Sequence, residues 1–260
     1  LRRAPLSGSS SPAAPIRDGF TDPPTMRKLA ELPGGHISDI RFSPSNPNIL
    51  YLASNVNAMG LWKSADAGET WRRIYYDENF GGTHMNTVAI HPSKPEQVFA
   101  VDVHGRISKG AHGEFRQVKD YQIALFGLAI SAADPRLLYA GSEEGKLYRS
   151  TDEGETWTQV TDLGDPIGAI AIDHDTVYVG TRAQGLYVSP DRGKRWTNDF
   201  PNAEVLRIAV GADRVFLATP LGLYRRIAVG PFEQVHGIHS HAVAIAASNP
   251  QVVYLGTYDD

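Results

Sequence analysis

The sequence predicts an all-β fold, a β-propeller of four-stranded blades with six blades begun along the chain. Three observations lead there. A four-strand unit recurs at a period of about 35–48 residues over most of the length. One turn pattern, Ser-x-Asp-x-Gly followed by Trp three residues later, sits at the same place in three of the units. The composition suits many short strands joined by tight loops: 25 Gly and 17 Pro in 260 residues, with 42% hydrophobic residues.

The clearest turn segments are SADAGETW at 64–71, STDEGETW at 150–157 and SPDRGKRW at 189–196. Each follows a short strand that carries an aromatic: GLWK at 60–63, KLYR at 146–149 and GLYV at 185–188. Upstream lies a β-branched and aromatic run at 49–53, 137–140 and 177–180, and before that a strand of small and apolar residues at 39–42, 127–130 and 169–172. Weaker copies then fall into line. Segments 87–90, 98–101 and 106–109 lead to Phe115 in the place of Trp, and 207–210, 215–218 and 222–225 lead to Phe232. Segments 242–245 and 252–256 open a sixth copy. MRKL at 26–29 matches the outer strands that begin at Trp71 and Trp157 but has no strands before it. Joining N- and C-terminal strands in one blade closes a ring of six and removes sheet edges. Tyr258 to Asp260 stands where another strand would start, so seven or more blades remain open if the chain is truncated.

Two regions follow. Residues 1–24 read as a flexible Ser/Pro/Ala-rich tether and residues 25–260 as the propeller. The first residue is Leu1 rather than Met, which reads as a processed protein or a fragment. A net charge of −4 with no Lys/Arg-rich run argues against a nucleic-acid partner. No apolar stretch approaches the ~20 residues of a spanning helix, which argues against membrane insertion. With no Cys, disulfides, thiolate metal sites and thiol catalysis are excluded together.

The turn pattern resembles the Asp-box, or BNR repeat, of sialidases, sortilin-type receptor ectodomains, xyloglucan hydrolases and photosystem II assembly propellers. Two copies match in full; the third has Arg195 where Thr is usual. The resemblance implies an extracytoplasmic setting (secreted, periplasmic or cell-surface) and a structural role for the motif. Asp66, Asp152 and Asp191 are expected to accept bonds from turn N–H groups, and Gly68, Gly154 and Gly193 to supply backbone freedom. Trp71, Trp157 and Trp196 are expected to wedge between blades. Catalytic residues of the enzymes it resembles lie on the opposite face. Against sialidases, the early Arg-Ile-Pro signature is missing, and Arg41, Arg182 and Arg207 fall at three different blade positions. Xyloglucan hydrolases use paired aspartates, one just after the second strand of the first blade, where this chain has Asn55. Asp102, Glu143, Glu144 and Asp259 lie in corresponding loops and are the candidates for a two-carboxylate glycosidase. In every case the alternative is a solvated acid in a polar loop.

Blade alignment also exposes a histidine register. Seven residues back from the end of each inner strand stand His36, His84, Ala124, Pro166, Glu204 and His239. If six blades close, His36, His84, His239 and Glu204 come from consecutive blades at the mouth of the central channel, with His241 beside them. Imidazoles and a carboxylate converging there are candidate ligands for Zn, Cu or Fe; the alternative is four polar loop residues bonded to neighbouring backbone. Three functional readings follow. One is a non-catalytic module that binds a protein or glycan partner, or a metal, through Asn55, Asn57, Asp102, His104 and Arg182. The second is a glycoside hydrolase, and the third a metalloenzyme.

Overall fold

The computed structural model describes residues 2–5, 36–56, 59–76, 84–211, 213–246 and 249–257. Among the described residues, twenty-three strands form five four-stranded antiparallel sheets and one three-stranded sheet, the six blades of a propeller. Their inner strands are His36–Phe42, Met85–Ile90, Leu125–Ile130, Ile167–Asp173, Arg207–Gly211 and Ser240–Ala246. In blades one to five the chain runs from inner to outer strand in sequence order. Blade six joins the two ends of the chain: Arg2–Pro5 pairs antiparallel with Asn249–Thr257, which pairs with Ser240–Ala246. The joining strand therefore lies within the stretch read as a tether. The segment 26–29 lies outside the described residues, as do Asn57 and Asp259. No helix among the described residues is long and apolar enough to cross a membrane.

The blades stack through one repeated register. Val88 and Ile90 of the second inner strand pack on Tyr51 and Leu61 of blade one. Leu128 and Ile130 pack on Phe99 and Ile107, Ile170 and Ile172 on Tyr139 and Leu147, and Ile208 and Val210 on Tyr178 and Leu186. Each fully buried side chain of this size contributes about 1.5–3 kcal/mol. Side-chain alternation requires the two apolar positions of the inner strand to share a face. In blade one that face carries Ile40 and Phe42, which stay 47% and 62% exposed. Blade six presents Tyr254, in the register of Tyr51, only half-buried. The junction between blades six and one is thus packed differently from the others.

Strand direction fixes the two ends of the ring. Inner and third strands run the same way, so the turns that follow them lie together on one face. Backbone bonds confirm it: Ala67 donates to the Asn48 carbonyl, Glu153 to Arg136 and Arg192 to Asp175. On the other face, here called the mouth, lie the loops between second and third strands and the loops that lead into each inner strand.

Candidate functional site

The histidine register has a backbone explanation. The carbonyls of His84, Pro166 and Ala124 accept N–H bonds from Val103, Arg182 and Glu143 of the adjacent second-to-third-strand loops. In blade one the His36 carbonyl accepts the Ser54 hydroxyl at 3.0 Å. This position anchors one mouth loop to the next through its main chain, a task that His, Ala and Pro perform equally.

The imidazoles themselves split into two groups. His36 Nδ1 donates to Asn55 Oδ1 at 3.0 Å and His84 Nδ1 donates to the Asn55 carbonyl at 2.5 Å. The first bond lies within blade one, and the second ties blade two to blade one. His104 meets His84 edge-on, with ring centroids 5.9 Å apart. Around blade six, His239 and His241 stack at 4.4 Å. Burial, then His239 and Arg207, pull the His241 imidazole down, against a rise from Glu204. The expected single centre of His36, His84, His239 and Glu204 does not assemble: among the described residues no three His, Asp or Glu side chains converge as a metal-holding group.

The candidate acids are likewise separated by role. Asp102 is 1% exposed. One of its oxygens accepts the N–H groups of His104 and Arg106 at 3.0 and 2.9 Å, and the other accepts Arg106 Nε at 2.6 Å. It caps its own turn and neutralises a buried guanidinium, and so has no free face toward the mouth. Ser54, Ser142, Thr181 and Thr219 occupy the same buried strand-end position in other blades, and each carries a hydroxyl where blade two carries a carboxylate. Glu144 pairs with Lys146 at 2.6 Å on the surface, and Glu143 is exposed beside it.

What sequence reasoning missed is the wall of the channel. Five of the six inner strands are bulged at their mouth end, with the register shifting across Ser38, Asn86, Phe126, Gly168 and His241. A bulged residue leaves the ladder and re-aims its side chain. Ser38 Oγ bonds the Met85 carbonyl at 2.6 Å and Asn86 Nδ2 the Leu125 carbonyl at 2.8 Å, stapling blades one to two and two to three. Phe126 and Gly168 are left facing the channel, and Leu206 stands at the corresponding place in blade five. The channel narrows to a cavity of about 70 Å³ bounded by residues of all six inner strands, among them Arg41, Asn86, Phe126, Ala169, Arg207 and Val243. Arg207 reaches across it to the Ser38 carbonyl at 3.4 Å. Burial lowers its pKa, Asp39 opposes that, and Arg41 adds to it. Asp39, at 9% exposure, accepts bonds from the Thr87 hydroxyl at 2.6 Å and from Arg41 Nε at 3.0 Å. Arg41 and Arg207 therefore line one channel despite their different blade positions, although Asp39 offsets their charge.

A second cavity, of about 180 Å³, opens at the mouth over blades three to five. Phe126, Pro166, Gly168, Val205 and Leu206 form its walls, and Arg182, Glu204 and Arg207 supply its charge. Asp165 organises the rim: it is 8% exposed and accepts the Ala183 and Gln184 N–H groups at 2.6 and 2.9 Å. Burial alone would raise its pKa, but these bonds and the charge of nearby Arg182 bring it below the usual range.

On the far face, the three turn motifs share one bonding scheme. Ser64, Ser150 and Ser189 donate to the Asp oxygens at 2.7–2.9 Å and accept the N–H of Gly68, Gly154 and Gly193. The other Asp oxygen takes the Thr70 or Thr156 hydroxyl, and in the third copy Arg195 Nε at 2.7 Å. Each indole Nε1 donates to the Gly carbonyl at 3.0–3.2 Å. Trp157 packs into the cluster with Phe99, and Trp196 against the one with Tyr139; Trp71 is half-buried.

No protein-family profile matches the chain. A xyloglucanase of a Paenibacillus species is 26% identical over 159 residues, which is 51% of this chain but only 15% of that enzyme. Among solved structures, the GH74 xyloglucanase of Xanthomonas campestris superposes with a TM-score of 0.74 at 19% identity, over 90% of this chain and 43% of its own. YCF48 bound to a D1 peptide superposes with a TM-score of 0.66 at 13% identity, over 86% of this chain and 75% of that one. The chain therefore spans less than half the length of the xyloglucanases it resembles, and the structural likenesses speak to fold.

Proposed function

We propose that this chain is a non-catalytic, extracytoplasmic protein-binding module whose working surface is the mouth of the propeller. The observation that carries the reading is the fate of Asp102. Two-carboxylate glycoside hydrolysis needs a pair of acids open to one substrate bond, and Asp102 is closed into its own turn and ion pair. The mouth instead offers a recess over blades three to five and polar loops at Asn55, His84, His104, Glu143 and Arg182. That mixture of an apolar pocket and a polar rim suits a protein partner. The peptide complex of YCF48, a propeller of similar fold, supports the choice of partner, and the resemblance of the turn motifs to the Asp-box repeat supports the location.

The test is a displayed-peptide selection on the immobilised chain, followed by affinity measurements on mouth and far-face variants. Enriched peptides should bind at least about tenfold more weakly to His84→Asp/Arg182→Glu and equally well to Glu69→Lys, on the far-face turn. Loss in Glu69→Lys alone would overturn the assignment of the face.

A second reading, a glycoside hydrolase, is favoured by the xyloglucanase similarity over half of the chain. Its candidates are Glu143, Glu144 and Asp259. Release of reducing ends from xyloglucan that disappears in Glu143→Gln/Glu144→Gln would establish it in place of the binding reading.

A further inference from the structure

Three strand glycines here are accounted for by a neighbouring blade. A Cβ on Gly127 would stand 3.0 Å from Ile170, one on Gly180 would stand 2.7 Å from Val205, and one on Gly141 would strike Ile167. Gly168 is different. It lies in the fourth inner strand without a left-handed φ, and a Cβ there would meet nothing within 4 Å. Neither packing nor backbone conformation requires glycine at this place, and glycine inside a strand weakens it. What its missing side chain does is open the wall of the channel. Phe126 and Leu206 flank the gap on the two adjacent blades, Pro166 and Val205 stand over it, and the 180 Å³ mouth cavity occupies the space.

From this we infer that the Gly168 recess is an anchor pocket that takes one large apolar side chain, leucine-like or phenylalanine-like, of a partner polypeptide. The inference rests on the protein-binding reading above and names the chemistry of its anchor. Three features select that occupant. The volume lies below the ~300 Å³ at which pockets for whole small ligands begin, and suits a single side chain. The walls are aromatic and aliphatic. The charges lie at the edges, with Arg182 and Glu204 opposite in sign, so they meet the residues flanking an anchor and not the anchor itself. A desolvated pocket with a polar border is the usual setting of an interface hot spot.

The probes are N-acetyl-leucinamide, N-acetyl-phenylalaninamide, N-acetyl-alaninamide and xylose, each titrated into the isotope-labelled chain and followed by amide chemical shifts. The leucine and phenylalanine amides should shift Gly168, Val205 and Leu206 saturably, while the alanine amide and xylose should not. Gly168→Leu, which fills the recess with its own side chain, should abolish those shifts and keep the wild-type melting temperature. Gly168→Ala, a smaller plug, should weaken binding partially and serves if the leucine variant fails to fold. Absence of saturable shifts with both apolar amides, equal shifts with xylose, or shifts that persist in Gly168→Leu would each overturn the pocket. Failure here is separable from failure of the mouth reading: selected peptides that lose affinity in His84→Asp/Arg182→Glu but not in Gly168→Leu leave the mouth in place and remove only the anchor.

Discussion

Replacing Gly154 by alanine should destabilise the propeller by about 2–5 kcal/mol, and replacing Gly193 in the equivalent turn by much less. Both glycines have positive φ, +79° and +85°. A Cβ in that region costs roughly 1–2 kcal/mol. The two sites differ in what the methyl group meets. At Gly154 it would stand 2.7 Å from Phe99 Cε1, a side chain with no exposure that sits in the core between blades two and three. Forcing a methyl group into such a core costs a further 1–3 kcal/mol, roughly. At Gly193 the nearest atoms, of Trp196 and Tyr139, are 3.5 and 3.6 Å away, which is ordinary contact. The difference between the two variants should therefore be about 1–3 kcal/mol, read from urea unfolding midpoints at unchanged m-value. Equal losses would refute the idea that the turn motif works as an inter-blade wedge, because backbone strain alone would then explain both.

Asp102→Ala should cost about 3–5 kcal/mol by removing one partner of a buried ion pair with Arg106, which thermal unfolding would register. Ile90→Ala, at a packed junction, should cost about 2–5 kcal/mol, whereas Phe42→Ala, at the same register position in blade one, should cost well under half of that in the same urea assay. Hydrogen bonds from the Thr70 and Thr156 hydroxyls and backbone N–H groups, followed by the serine hydroxyls, hold the Asp66 and Asp152 carboxyls down at about 2. Because the folded pKa lies below the unfolded value, near 3.9, their contribution is complete above about pH 4 and is lost as pH falls toward 2. Asp66→Asn/Asp152→Asn should therefore flatten the acid limb of the stability–pH curve in that window and leave its shape unchanged above pH 5, roughly.

The ring was legible because each blade repeats one burial pattern. The aromatic in the second strand (Tyr51, Phe99, Tyr139, Tyr178, Phe216) and the apolar pair in the next inner strand name the junction between them. The turn motifs were legible for a related reason, since the Ser, Asp and Trp side chains that define them, with the Thr or Arg beside them, bond within eight residues of sequence. The inner strands proved longer than their alternation suggested: their apolar pattern restarts after the bulge, so 85–86, 125–126 and 167–168 read as loop although they belong to the strands. Those hidden residues include the ones that line the channel, and for that reason Gly168 and Phe126 escaped notice. The histidine row shows the converse. A shared register was real, but what recurs there is a main-chain carbonyl, and the identity of the side chain above it carries no signal. Blade closure was legible only in principle, because the pairing of Arg2–Pro5 with the C-terminal strand follows from an unmet sheet edge and not from any motif in RRAP.

The most direct test of the central claim is to map where a selected peptide binds, by amide chemical-shift changes over the whole ring. The account predicts that perturbations cluster at His84, His104, Glu143, Arg182 and Val205 around the mouth. A cluster at the turns 64–71, 150–157 and 189–196 on the far face would contradict it.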